Sequence, residues 1–440
     1  MTSLPLLGHA TPDAIVAYRA GQPITARQLL ADVARLAASF PSGRHVLNAC
    51  TDRYRFAVAL LAAITAGRTS LLPPTYVPAV IRELRQFAGD AFCVSDEDTG
   101  IELPGLRCPT DFAAPAATWT VPRVPAEHTV AYVFTSGSTG SPVPHAKSWG
   151  RLHANVAVEA GRLGLTDGRR HTLVATVPPQ HMYGFESSVL VALAAGQAFA
   201  AERPFYPADI AAVLAGVPHP RTLVSTPVHL RTLLAAGVDA APDSVVCATA
   251  PLDVGVARAV EERFAAPLIE IYGSTETGQI ASRRTTATDE WSLWPGVELV
   301  ERDGGFFAHG GHVGAPTALG DLLEPTGPGT FRLHGRSADL VNVAGKRSSL
   351  AYLNHQLTTL PGVVDGAFFL RADSDGPSGT ARLAALAVAP GLSTETLLRG
   401  LRERIDPVFL PRPLLLVDRL PRNATGKLPR AVLESLVARR

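Results

Sequence analysis

Along most of the first 335 residues, stretches whose apolar positions recur every three or four residues alternate with short, unbroken apolar runs. In 25-TARQLLADVARLAASF-40, Leu29, Val33, Leu36 and Phe40 fall on one helical face behind Thr25, a residue suited to capping. The run at 45–49 predicts a strand. Residues 53–66 predict a second helix, apolar enough to be buried. Short buried strands are expected at 173–177, 222–225, 244–248 and 268–271, with helices among them at 187–195, 207–215, 227–236 and 254–264. This alternation implies α/β layers on largely parallel sheets. From Trp291, WSLWPGVELVERDGGFFAHGG is turn-rich and lacks helical spacing, which predicts a small antiparallel β-rich unit. After Arg336 a fresh α+β pattern begins, with a helix at 394–405 between strands at 383–388 and 414–417. The stretch 372-DSDGPSGT-379 reads as an exposed loop.

Composition narrows this picture. A chain of 440 residues exceeds one ordinary core, so two or three domains are expected. With 46% apolar and 18% charged residues and a net charge of +1, it reads as a well-packed soluble protein without a nucleic-acid surface. Cys50, Cys93, Cys108 and Cys247 form no CxxC pair and have no His at metal-ligand spacing, so they read as buried thiols of a reducing compartment. MTSLPLLGHATPDAI is not built like a secretory leader. The apolar run at 56–66 is about half the length of a membrane span. The expected location is cytoplasmic, with no membrane span.

Chemistry enters at 134-FTSGSTGSPVPHAKSW-149. Thr135, Ser136, Gly137, Ser138, Thr139 and Gly140 follow an apolar strand-like run. Glycines let backbone N–H groups approach an anion, and the hydroxyls add donors. The Walker ending Lys-Ser/Thr is missing, so this is a different kind of phosphate loop, or a linker. Further on come 248-ATAPL-252, 270-EIYGSTE-276, 320-GD-321 with 335-GRSADLVNVAGKR-347, and 421-PRNATGKLPR-430. In this order the segments resemble the signature series of the adenylate-forming superfamily, which contains acyl- and aryl-CoA synthetases, peptide-synthetase adenylation domains and firefly-type luciferases. The resemblance runs from about Thr25 to Lys427.

The resemblance implies attack of a carboxylate on the α-phosphate of ATP, giving an acyl-adenylate and pyrophosphate, with ATP and Mg²⁺ required. Thr135 to Gly140 would hold the outgoing phosphates, Thr275 would donate to the α-phosphate, and Glu276 would bind Mg²⁺. Tyr272, in Tyr272-Gly273-Ser274, would lie against adenine, with Thr249, Ala250 and Pro251 as the opposite wall. Asp321 would accept from the ribose hydroxyls and Arg336 would support the same sugar. Lys427 would be the catalytic lysine, neutralising charge as two anions meet. His181, with Tyr183 and Gly184, would line the acid pocket. The implied domains are an adenylation core at 1–335, a hinge at 336–339 and a mobile lid at 340–440.

Some positions depart from the family pattern. Val143 holds the usual lysine position of the phosphate loop, so either Lys147 substitutes from further along or the charge is absent. Ala248 and Thr249 replace paired glycines, which implies a backbone that approaches nucleotide less freely. Ala338 replaces the hinge side chain. The compact form and HMYGFE resemble stand-alone ligases of aryl-polyene and xanthomonadin-type pigment pathways. The expected acid is therefore a hydroxybenzoate-like aryl acid, and the acceptor a thiol of CoA or of a separate acyl carrier protein. A fatty-acid ligase is the alternative within the class. A degenerate, non-catalytic nucleotide-binding protein is the alternative outside it.

Overall fold

A computed structural model of the chain describes residues 2–115, 118–136, 142–302, 304–336, 340–343, 346–371, 383–422 and 428–438. Contacts divide it into two units: Met1–Leu299 with Ala308–Thr317, and Val300–Phe307 with Ala318–Arg440. The expected loop at 372–379 and the hinge residues Ser337, Ala338 and Asp339 lie outside the described residues.

The first unit is built on two sheets. One runs in the order Pro142–Ser148, Thr129–Ser136, Thr69–Leu72, His45–Asn48, Phe92–Ser95, Gly105–Arg107. Only its first pair is antiparallel. The other has a parallel centre, Leu268–Ser274, Ser244–Cys247, Arg221–Ser225, Thr172–Ala175, Ala198–Ala200 and Ile15–Arg19, in that spatial order. Gly278–Arg283 and Glu290–Leu293 add antiparallel strands beside Leu268–Ser274. Parallel strands are covered on both faces, which is why their sequences are short unbroken apolar runs rather than alternating ones.

The helices form for local reasons and bury one face. Ala26–Ala38 starts where Thr25 Oγ1 accepts from Gln28 N at 3.2 Å, and it buries Leu29, Val33 and Leu36. Arg53–Thr65 is capped by Asp52, whose Oδ1 accepts from Arg55 N at 2.9 Å, and it is buried along nearly its whole length. Pro207–Ala215, Pro227–Ala236 and Val254–Phe264 set Ile210, Leu214, Leu230, Leu233, Ala257 and Val260 against Leu223, Val245 and Leu268 of the sheet. Each such buried Leu, Ile or Val contributes about 1.5–3 kcal/mol. Where one helix was expected at 187–195, the backbone makes a π-helical turn, Phe185–Leu190, and then the α-helical Val191–Ala194. Ser188 within that turn donates to Gly184 O and accepts from the buried Arg53. Helices Pro78–Phe87 and Trp149–Arg162 were not anticipated; the former buries only Ile81 and Leu84 among charged neighbours. Among the described residues no helix is long and apolar enough to cross a membrane.

The second unit contains the hairpin Asp321–Gly327 with Thr330–Arg336. It also holds a sheet in which Leu383–Val388 pairs antiparallel with Asp365–Leu370 and parallel with Leu414–Leu416. Leu353, Leu357, Phe368, Leu397 and Leu401 lie in its core. The architecture is α/β in the first unit and α+β in the second.

Candidate active site

Open α/β sheets bind ligands beyond the carboxyl ends of their parallel strands. The expected segments lie at such ends. Thr135 closes Thr129–Ser136, residues 249–251 follow Ser244–Cys247, and Tyr272 to Glu276 close Leu268–Ser274. His181 to Gly184 come a few residues after Thr172–Ala175.

The Ser274–Thr277 turn is closed by its own hydroxyls. Ser274 N donates to Thr277 Oγ1, and Thr277 N to Ser274 Oγ, both at 3.2 Å. This puts Thr275 and Glu276 at the tip. Glycine is required on either side of the turn. A Cβ on Gly273 would stand 2.3 Å from Gly278 O, and one on Gly278, whose φ is +75°, would stand 2.6 Å from Asn155 Nδ2. Tyr272 packs 5.6 Å from the Trp291 ring, and the Arg283 guanidinium lies 4.5 Å over that ring. Glu270, at the buried start of the motif, ties the neighbouring wall to this strand. Its Oε1 accepts from Leu252 N at 3.2 Å, and its Oε2 accepts from Arg283 Nε and Thr285 Oγ1, each at 2.8 Å. Burial pushes its carboxyl up, against the pull of Arg283.

Beside the turn runs strand Pro142–Ser148, where Val143 pairs with Thr135, His145 with Val133 and Lys147 with Ala131. Alternate residues share a face of a strand, so Val143, His145 and Lys147 project together. His145 Nε2 lies 3.0 Å from Thr135 Oγ1 and 3.6 Å from Glu276 Oε1. Burial draws its imidazole pKa down, against the opposing pull of Glu276. Lys147 is only 8% exposed, while Val143 is 44% exposed. The Lys147 ammonium donates to the backbone oxygens of Thr275 and Glu276. It therefore serves the turn from inside and does not take the open position of the missing loop lysine.

Other expected residues are placed as follows. Thr249 adopts φ +84°, so a β-branched residue holds the left-handed conformation that a glycine would favour. Tyr183 is buried and its hydroxyl donates to Val246 O at 3.0 Å. His181 precedes the helical turn Met182–Gly184, with Phe185 N donating to its carbonyl at 2.7 Å. In the second unit Asp321 stands opposite Arg336 in the hairpin ladder, so these two expected ribose residues are neighbours. Gly137, Ser138, Thr139, Gly140 and Lys427 lie outside the described residues.

Several residues that belong to this region were not singled out in the sequence: His145, Glu159, Glu186, Glu270 and Gln279. Glu270 carried a signal as the first residue of EIYGSTE, Glu186 as the last of HMYGFE and His145 within 134–149, while Glu159 and Gln279 carried none. For the metal, no group of three or more His, Cys, Asp or Glu side chains forms a site among the described residues. A Mg²⁺ bound through substrate phosphates needs only one or two protein carboxylates. Glu276, with its side chain 40% exposed at the tip of the turn, fits that need.

Known proteins resemble this chain in sequence and in fold. Residues 8–299 match the family described as AMP-binding enzyme. The 4-coumarate–CoA ligase of Halorhodospira halophila is 28% identical over 312 residues, covering 69% of this chain and 76% of the relative. The 2-succinylbenzoate–CoA ligase of Bacillus velezensis is 26% identical over 352 residues, covering 70% and 69%. The structure of o-succinylbenzoate CoA synthetase from Bacillus subtilis, in complex with its acyl-adenylate intermediate, has the same fold, with a TM-score of 0.83, 19% identity and 99% of both chains covered. The chain belongs to the AMP-binding enzyme family, as an adenylate-forming acid–thiol ligase.

Proposed function

We propose that the protein activates an aryl carboxylic acid of hydroxybenzoate type with MgATP and passes the acyl group to a thiol, that of CoA or of a separate acyl carrier protein. The carboxylate oxygen bonds to the α-phosphorus, the bond from that phosphorus to the oxygen bridging to the β-phosphate breaks, and pyrophosphate leaves. The thiolate then attacks the acyl carbon and AMP leaves, the thiol proton passing to solvent. The relatives named as 4-coumarate– and 2-succinylbenzoate–CoA ligases support an ATP-dependent acid–CoA ligase working through an adenylate. The ring-bearing acids in those names favour an aryl substrate over a fatty acid.

The observation that carries the reading is His145, within 3.0 Å of Thr135 and 3.6 Å of Glu276. It joins the phosphate-loop strand to the acidic turn at the end of another sheet, as a site for a metal-bound polyphosphate needs. Thr275 is assigned the donor to the α-phosphate, Lys427 the neutralisation of the two approaching anions, and His181 a wall of the acid pocket. Mg²⁺, held through Glu276, would offset charge on the departing phosphates.

The test is pyrophosphate release with MgATP across aryl and fatty acids, with and without CoA. Release that depends on a hydroxybenzoate-like acid supports the reading, and stimulation by CoA identifies the acceptor. Release only with fatty acids replaces the aryl assignment. Silence across the panel, with ATP still bound, supports the degenerate nucleotide-binding alternative. Lys427→Ala is expected to lower the rate by about 100-fold or more; an unchanged rate removes Lys427 from the mechanism.

A further inference from the structure

The turn bearing Thr275 and Glu276 rests on a buried polar cluster that a packing role does not explain. Lys147 reaches it from strand Pro142–Ser148, Asn155 and Glu159 from helix Trp149–Arg162, Glu186 and Ser187 from the π-helical turn, and Gln279 from strand Gly278–Arg283. All of these residues are at most 8% exposed. Gln279 Nε2 donates to Ser187 Oγ at 2.7 Å and to Glu159 Oε1 at 3.3 Å, and Asn155 Nδ2 donates to Gln279 O at 3.4 Å. Glu186 Oε1 would stand 3.0 Å from a Cβ on Gly278, so it lies directly against the base of the turn. Among the described residues Glu186 Oε1 and Glu159 Oε2 have no hydrogen-bond partner.

Lys147 supplies the cluster's positive charge. Burial draws its ammonium down, and Glu186 and then Glu276 draw it back up. Burying an ammonium costs several kcal/mol, and apolar residues of similar volume often stabilise a fold as well or better. A space that needed only filling would be filled by Met or Leu. What Lys147 does that those residues cannot is donate to two successive carbonyls of one turn. With the oxygens of Thr275 and Glu276 held inward, the hydroxyl and carboxylate at the tip are fixed relative to the neighbouring strand. A three-hydroxyl turn without such an anchor would sample several conformations, and each would cost affinity for an anion bound at its tip.

We propose that Lys147 is a positioning residue for the adenylation site, fixing the turn that presents Thr275 and Glu276, with the Glu186 carboxyl packed against the base of that turn. The assignment rests on the function proposed above.

The experiment uses the full chain and its Lys147→Met and Glu186→Gln variants, with three readouts. These are melting temperature without ligand, calorimetric affinity for the non-reacting analogue α,β-methylene-ATP with Mg²⁺, and amide exchange of residues 274–278. Pyrophosphate release and the acid KM are measured alongside. Lys147→Met is expected to weaken analogue binding about tenfold or more, to speed exchange at 274–278 selectively, and to leave the acid KM unchanged. Glu186→Gln should do the same to a smaller extent, and it carries the test if Lys147→Met does not fold. Wild-type analogue affinity and exchange at 274–278 in both variants would overturn the proposal while leaving the function intact. An even loss across melting temperature, acid KM and analogue affinity would mark a merely structural lysine and also overturn it. A wild-type protein that neither binds the analogue nor releases pyrophosphate would instead overturn the functional reading beneath it.

Discussion

Arg53 and Lys147 are both buried cations of the first unit, and their surroundings differ in kind. Arg53 is fully buried and spends all five of its donors. Nε goes to Ser188 Oγ, Nη1 to the carbonyls of Ala200 and Glu202, and Nη2 to those of Ala175 and Val177. These acceptors sit on or just past two sheet strands and on the π-helical turn, elements with nothing to gain from moving. Burial draws the guanidinium down to about 10, which leaves it charged at neutral pH. Lys147 instead donates to two carbonyls of a turn, near Glu159 and Glu186 oxygens that have no hydrogen-bond partner among the described residues. Complete satisfaction goes with a structural hub, whereas incomplete satisfaction beneath the Thr275–Glu276 turn is where function sets the arrangement.

The strongest way to break this contrast is Arg53→Met. It removes one donor from each of four carbonyls, and the expected loss is about 3–5 kcal/mol of stability, read by urea denaturation. A loss that small mutations elsewhere on the surface would match sinks the idea of a hub.

Next comes Glu159, whose carboxyl is fully buried and raised by that burial from 4.5 to about 7, against hydrogen bonds from Ser187 and Gln279. The unfolded chain releases this proton near pH 4.5, and the folded chain keeps it until about pH 7. The contribution to stability is therefore full below pH 4.5, is lost as pH rises from there to about 7, and is flat above. At about 1.4 kcal/mol per pH unit, the change across that window is up to about 3 kcal/mol. Glu159→Gln removes the titration, so wild type should lose stability relative to the variant between pH 5 and pH 8. Urea midpoints that run parallel across those pH values would show that Glu159 does not hold its proton.

The same contrast explains what could be read from the chain. The core helices follow from apolar spacing, as at Leu29, Val33 and Leu36, and the parallel strands from unbroken runs such as 244–247. The segments at 134–136, 249–251 and 272–276 stood out because their signals are local runs of residue types, and they lie at strand ends. The buried roles of Arg53, Glu159, Glu186 and Lys147 were not readable. A charge inside a helical or strand pattern ordinarily marks a solvated face, and only the crossing of elements far apart in sequence turns it inward. The π-helical turn escaped for the same reason, since Ser188 answers to Arg53, which is 135 residues earlier.

Gly278→Ala sharpens the comparison from the functional side. At φ +75° an alanine is strained, and its Cβ would meet Asn155 Nδ2 and Glu186 Oε1. The local cost is about 1–3 kcal/mol. It falls on the turn's base, so nucleotide affinity should drop by more than the melting temperature suggests. Equal proportional losses in both would argue that the turn and the fold are one cooperative piece.

The smallest effect concerns the replaced glycine pair. Thr249 keeps φ +84° despite its branched side chain, so this departure is expressed as strain rather than as a changed backbone. Comparing Thr249→Gly with Thr249→Ala isolates that strain, because both variants lose the same side-chain contacts beyond Cβ. At an ordinary position Ala is more stable than Gly, by roughly 0.5–1 kcal/mol in a helix or strand. At 249 the order should reverse, with Gly more stable than Ala by about 1 kcal/mol, since only Gly adopts this conformation freely. The usual order would mean that the wall relaxes once threonine is gone. The left-handed backbone would then be a property of Thr249 itself, and not a requirement of the site.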